Sequence, residues 1–206
     1  MMSIEELFQQ LKHPNPNLRE RAMWELVDAQ DETTIPRLMG LLGEEDTTYR
    51  RAAVKALGAI GVDAVPPLVE SLLQSDNVTI RGSAAKALAQ VALNYPDIPF
   101  PPEGVQGLKA ALNDANPVVH IAAVMALGEI GTPVVDVLIE GLQATDNPAL
   151  AVSIVNALGS IGDSRGVDVL TALIQDEATD SYVRESATSA LSRLEMTVKF
   201  KRGEPA

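Results

Sequence analysis

The chain has 206 residues, of which 46% are hydrophobic, so it has material for one extended folded domain and is not a disordered tail. It contains no cysteine, which excludes a disulfide framework and any thiol chemistry performed by this chain. Its formal net charge of -12 argues against a nucleic-acid backbone as the main partner and favours a partner with basic patches.

The start, Met1-Met2-Ser3-Ile4-Glu5-Glu6, lacks a basic segment followed by an apolar one, so no signal peptide is expected. No apolar run approaches the length of a bilayer span, and the expectation is a soluble, cytoplasmic protein.

One pattern organises the chain. The run Arg50-Arg51-Ala52-Ala53-Val54-Lys55-Ala56-Leu57-Gly58-Ala59-Ile60-Gly61 recurs with variations. Its aligned leucines are Leu26, Leu57, Leu88, Leu127, Leu158 and Leu191, in steps of 31, 31, 39, 31 and 33 residues. A fixed period of this length signals stacked helical repeats.

The first period, 3–31, is the least regular and reads as a capping repeat. Its apolar stripe Ile4, Leu7, Phe8 and Leu11 has helical spacing, and Asn15 stands where the second helix would be capped. Asp46, Asn77, Asn116, Asn147 and Asp180 stand at the same place in the later copies. Four residues further on come Arg19, Arg50, Arg81, His120, Ala151 and Arg184. A row that follows the repeat reads as a ladder between neighbouring repeats. Periods two and three, 34–61 and 64–92, are the most regular. Gly61, Gly131 and Gly162 read as left-handed helix ends.

The long fourth step contains a proline-rich insert, 94–103, whose four prolines forbid a helix. Its Tyr95, Ile98 and Phe100 read either as a rigid strap packed on the repeats or as a docking loop for a partner. Periods four to six follow at 104–131, 134–162 and 166–195, and the tail 196–206 loses the pattern and is expected to be frayed. The fold class is all-α: a right-handed α-solenoid of about six helical hairpins, forming a single domain over 1–206.

No compact active site is legible. The two histidines, His13 and His120, make no metal-ligand set with spaced carboxylates, and no phosphate loop or nucleophile elbow is present. The catalytic and metal assignments are therefore both none. Asn77-Val78-Thr79 matches a glycosylation sequon but coincides with a helix cap.

What remains is surface. In such solenoids the second helices line the concave side, and one row of their residues should face solvent. Its middle holds Ile121, Met125 and Val152, with Arg51, Lys55 and Lys86 to one side and Trp24 in the first copy. Apolar residues at solvent positions beside cations suit a flat apolar ligand carrying carboxylates, or an apolar protein face with an acidic rim. The competing reading is packing between helices.

The motif Ala-Leu-Gly-x-Ile-Gly, at Ala56 to Gly61, Ala126 to Gly131 and Ala157 to Gly162, resembles HEAT-like repeats. Its extension from Ala157 to Val167 is similar to the variety found in phycobilin lyases of the E/F type. The run Leu7 to Arg19, Arg21 to Leu26, Ala84 to Val91 and Asn94-Tyr95-Pro96 resemble the phycoerythrin-associated, Z-type branch of that family.

The resemblance implies a cyanobacterial cytoplasmic protein that assists attachment of phycoerythrobilin to phycoerythrin subunits. Its implied role is that of a chaperone-like partner of a HEAT-like lyase. It implies no tightly bound cofactor, with phycoerythrobilin at most a transient ligand, and neither nucleic acid nor membrane insertion. Two other readings stay open: a lyase or isomerase subunit acting directly on the bilin, and a generic protein-binding scaffold.

Overall fold

A computed structural model describes residues 2–202. Among them are twelve α-helices, two short 3-10 turns and no strand: an all-α helical-repeat solenoid. The helices are α1 (Ile4–Gln10), α2 (Pro16–Asp28), α3 (Thr34–Gly40), α4 (Thr47–Ile60), α5 (Val65–Gln74) and α6 (Val78–Asn94). They continue with α7 (Pro102–Ala111), α8 (Pro117–Ile130), α9 (Val135–Ala144), α10 (Pro148–Ile161), α11 (Arg165–Gln175) and α12 (Ser181–Arg202). Among the described residues no single helix is long and apolar enough to cross a membrane.

The six Asn/Asp positions all cap the helices they precede. Asn15 accepts from the Asn17 amide at 2.9 Å, Asp46 from Thr48 at 2.8 Å and Asn77 from Thr79 at 2.8 Å. Asn116 accepts from Val118 at 2.9 Å, Asn147 from Ala149 at 3.0 Å and Asp180 from Tyr182 at 2.9 Å. Each bond satisfies an amide that has no partner inside its helix. α1 starts with a capping box, in which Ser3 and Glu6 satisfy each other's amides.

Gly162 ends α10 in the left-handed conformation, as the pattern suggests. Gly61 and Gly131 differ. They have φ of 89° and 79° with ψ of -139° and -137°, a region open to glycine and closed to other residues. Each turns the chain into a 3-10 turn, Val62–Ala64 or Thr132–Val134, that enters the next helix.

The chain packs as two compact units, Met1–Ala111 and Leu112–Ala206. The first contains three hairpins and α7, built on the buried side chains Leu7, Leu26, Leu38, Leu57, Leu68 and Leu88. The second contains α8 and two hairpins, built on Leu127, Leu138, Ile154, Leu158 and Leu170.

Second helices of successive hairpins approach closely at α4/α6 and α10/α12, and the first glycine of the Ala-Leu-Gly motif, Gly58 or Gly159, is the reason. A Cβ at Gly58 would lie 2.2 Å from Gln90 Cβ on α6. A Cβ at Gly159 would lie 2.9 Å from the Cα, Cβ and O of Ala190 on α12.

Three arginines of the row bond within their own hairpins. Arg19 Nη1 donates to the carbonyls of His13 at 2.5 Å and Pro14 at 2.9 Å, and Arg81 Nη1 to that of Ser75 at 2.9 Å. Arg50 Nη1 likewise donates to the Glu44 carbonyl. The row stands on the first turn of a second helix, beside the C-terminal end of the first helix of its own hairpin. Carbonyls there lack intrahelical partners, so the guanidinium staples its own hairpin. First helices supply rungs between repeats. Arg37 Nη2 pairs with Glu5 Oε2 at 2.7 Å while its guanidinium lies 3.9 Å over the Phe8 ring. Arg165 Nη1 pairs with Asp136 Oδ2 at 2.7 Å, and its Nη2 donates to the Thr132 carbonyl at 2.7 Å. His120, in the arginine slot, is 5% exposed, and its Nε2 has no hydrogen-bond partner.

The tail also differs from expectation. α12 runs on to Arg202, because no glycine or proline interrupts the chain between Leu194 and Gly203. Thr197 lies against the end of α10, where a Cβ at Gly162 would meet it at 2.3 Å. Residues 203–206 of the expected frayed tail lie outside the described residues.

Two predictions follow from this packing. Gly159→Ala drives a methyl into the α12 backbone and should cost about 1–3 kcal/mol in a urea or thermal melt. Gly128→Ala meets Ala157 Cβ at an ordinary 3.7 Å and should be neutral or stabilising, by up to about 1 kcal/mol.

A further prediction concerns Asp31, which organises the turn into α3. Its Oδ1 accepts from the Thr33 hydroxyl at 2.7 Å, the Thr33 amide at 2.9 Å and the Thr34 hydroxyl at 3.1 Å. The Thr33 hydroxyl bond, then the other bonds, hold its carboxyl below the ordinary 3.8. A carboxyl depressed in the folded state stabilises above its unfolded value, and that contribution is lost as pH falls through the folded value. The gap between wild type and Asp31→Asn in thermal melts should therefore be open near neutral pH and close below the ordinary value.

Candidate functional site

The first unit carries a cavity of about 340 Å³ between α2 and α4. Pro16, Arg19, Glu20 and Met23 line it from α2, and Thr48, Arg51, Ala52 and Lys55 from α4. Arg51 and Lys55 are the two residues of the solvent row brought together here. They sit one helical turn apart on the same face of α4, and both are exposed. Arg19 enters with its guanidinium already anchored on the His13 and Pro14 carbonyls. The walls thus hold three cations against one carboxylate, in a chain of net charge -12. Met23 and Ala52 are buried and form an apolar floor.

The second unit carries an open groove of about 520 Å³ between α8 and α10. Ile121, Val124, Met125, Gly128, Ala157 and Ile161 supply apolar lining, with Glu129, Ser153, Asn156 and Ser160 at its polar positions. Met125 is 60% exposed, a large apolar side chain turned to solvent, whereas Ile121 is half-buried. The small residues Gly128 and Ala157 leave the space that the groove occupies. Asn156 is fixed from the next helix, its Oδ1 accepting from Arg193 Nη2 at 2.8 Å.

The remaining row residues are more scattered. Val152 is half-buried on α10 and does not line the groove. Trp24 on α2 is 45% exposed and Lys86 on α6 is exposed, and neither lines the α2/α4 cavity. Sequence reasoning missed Arg19, Met23 and Thr48 as cavity residues, because it had assigned Arg19 to a structural row. The signal that would have placed Arg19 and Arg51 together is their register. Each stands four or five residues after its cap, so neighbouring second helices present them side by side.

The three insert residues separate. The Tyr95 hydroxyl donates to the Ala59 carbonyl, and its ring packs where a Cβ at Gly61 would stand, 2.8 Å away. The Phe100 ring lies within 2.5 Å of the Cβ position of Gly104. These two fold back on the unit as a strap, and Ile98, 49% exposed, is left pointing outward. Among the described residues no group of three His, Asp or Glu side chains is placed to hold a metal ion.

Comparison with known proteins places these features. The family model for HEAT repeats matches residues 4–89 and 105–192, leaving out the whole proline-rich insert. An uncharacterized phycocyanin operon protein Z of Pseudanabaena tenuis (strain PCC 7409) is 70% identical over 201 residues, covering 98% of this chain and 100% of that protein. The bilin biosynthesis protein CpeZ of Synechococcus sp. (strain WH8020) is 35% identical over 168 residues, covering 79% of this chain and 90% of that one. Among solved structures, the complex of CpcE and CpcF of phycocyanin lyase from Nostoc sp. PCC7120 aligns with a TM-score of 0.50 at 22% identity. It covers 75% of this chain and 96% of the matched chain, a likeness of fold.

The strap generates a test. Tyr95→Phe removes the bond to the Ala59 carbonyl while keeping the ring, and should cost about 0.5–1.5 kcal/mol by chemical denaturation. Ile98→Ser, at an exposed position, should stay within about ±0.5 kcal/mol in the same assay.

Proposed function

The chain belongs to the HEAT-repeat family and is related to the bilin biosynthesis protein CpeZ, and we propose that it assists phycobilin attachment as a chaperone-like accessory. In this reading a HEAT-type lyase attaches phycoerythrobilin to phycoerythrin subunits, and this chain holds the subunit or its incoming bilin. The observation that carries the reading is the 35% identity to CpeZ over 90% of that protein. The surface supports it: the α8/α10 groove offers Ile121 and Met125, an apolar contact on a face that would otherwise be solvated. Val152 on α10 adds to this contact, and on the first unit Trp24 and Lys86 are assigned to client contact in the same proposal. The acceptor cysteine belongs to the client, which fits a chain that has none. The site of action is the cyanobacterial cytoplasm, where client and lyase are made.

One observation favours a second reading of the client. The relative that is 70% identical is described as a phycocyanin operon protein, which points to phycocyanin subunits in place of phycoerythrin.

Co-expression separates these readings. The chain is produced with phycoerythrin or phycocyanin subunits and a bilin supply, with and without a HEAT-type lyase. Bilin absorbance and fluorescence are then read on the subunit. The accessory reading expects correctly attached bilin to rise several-fold when the chain joins the lyase, with no attachment by the chain alone. Attachment by the chain alone supports a catalytic subunit instead, and no change with either client contradicts the proposal. Met125→Glu, placed at an exposed position, should leave the melt within about ±0.5 kcal/mol while lowering the yield.

A further inference from the structure

The α2/α4 cavity has a feature that folding does not explain. Arg51 and Lys55 are like charges one turn apart on a single helix face, an arrangement that weakens a helix by about 0.2–0.5 kcal/mol. Neither has an ion-pair partner among the described residues, although carboxylates outnumber cations in the chain, 28 to 16. Arg19 brings a third cation whose position is fixed by two carbonyls, so its charge is pre-placed before any ligand arrives. Below these charges lie Met23 and Ala52, both buried, with Pro16 beside them and the Thr48 hydroxyl at the rim.

We propose that this cavity is a subsite for an alkyl carboxylate, with Arg51 and Lys55 binding the carboxylate and Met23 and Ala52 receiving its methylene arm. Each part of the match has a physical source. A planar carboxylate accepts the paired N–H groups of a guanidinium, and an ammonium one turn away adds a point charge. A volume of about 340 Å³ is at the lower end for ligand pockets, so it takes an arm of a larger molecule and leaves the body of that molecule outside. Two carriers present this chemistry: a linear tetrapyrrole with propionate arms, and a glutamate side chain on a client polypeptide. The proposal rests on the accessory reading only for the carrier's identity, since the subsite itself stands on the cavity.

The test uses the full chain, with biliverdin, biliverdin dimethyl ester and a glutamate-rich peptide as probes, followed by absorbance, circular dichroism and fluorescence anisotropy. Three variants are compared with wild type: Arg51→Gln, Lys55→Gln and the double variant. Lys199→Gln on α12 controls for loss of bulk charge. Circular dichroism melts should show the double variant folded, with no loss of stability, because a repulsive pair is relieved. Binding of the diacid should weaken by about tenfold in the double variant, the scale of two exposed charge contacts, and its salt dependence should flatten. The dimethyl ester should bind wild type and variant equally. If the peptide and not biliverdin loses affinity, the subsite stands and its carrier is the polypeptide. Unchanged binding of both probes in a folded double variant overturns the subsite. That result is distinct from failure of the accessory role, which the co-expression yield reads separately.

Discussion

Close approach of the second helices is the constraint on which the rest of the molecule depends. Gly58 and Gly159 remove the side chains that would hold α4 from α6 and α10 from α12. The apolar faces then close over buried leucines such as Leu57, Leu88 and Leu158. Burial of this kind, roughly 1.5–3 kcal/mol for each large apolar side chain, is what a single hairpin cannot reach and stacked hairpins can. The same tight spacing decides which residues are left outside. Once one side of each second helix is used for packing, residues such as Arg51, Lys55 and Met125 have no place but the surface.

The charges fall into two groups with different work. Arg19, Arg50 and Arg81 satisfy carbonyls at the end of the preceding helix, and Arg37 and Arg165 join one repeat to the next. These cations are consumed by the fold. Arg51 and Lys55 are not, and a stretch of uncompensated positive charge in an acidic protein is where a carboxylate-bearing partner is drawn. The apolar groove between α8 and α10 is the complementary feature of the second unit: contact area with little charge.

Much of this was legible in the sequence, for reasons that are local. The helix starts were legible because an Asn or Asp cap followed by a helical apolar stripe is determined within a few residues, and all six caps form as read. The hairpin ends at Gly61, Gly131 and Gly162 were legible as positive-φ positions. The conformations of Gly61 and Gly131 were not, because the 3-10 turns that follow redirect ψ. The bonds of Arg19, Arg50 and Arg81 within their hairpins were not legible, because a repeat period cannot tell a bond within a hairpin from one between hairpins, as both recur at the same spacing. The α12 extension was missed because periodicity ended at Leu194 while helix propensity did not. At the candidate site, exposure of Arg51, Lys55, Lys86, Trp24 and Met125 was legible from facing alone. The α2/α4 cavity was not, since it depends on how far apart two helices sit and on Met23 and Thr48 both lining the gap.

The measurement that bears most directly on the account is hydrogen exchange of the chain, alone and with a client subunit carrying its bilin. If the second helices present the working surface, added protection should concentrate in the first turns of α2 and α4 and along α8 and α10. The first helices α3, α5, α9 and α11 should exchange as they do in the free chain. Protection confined to those first helices, with α4 and α8 unchanged, would contradict the account.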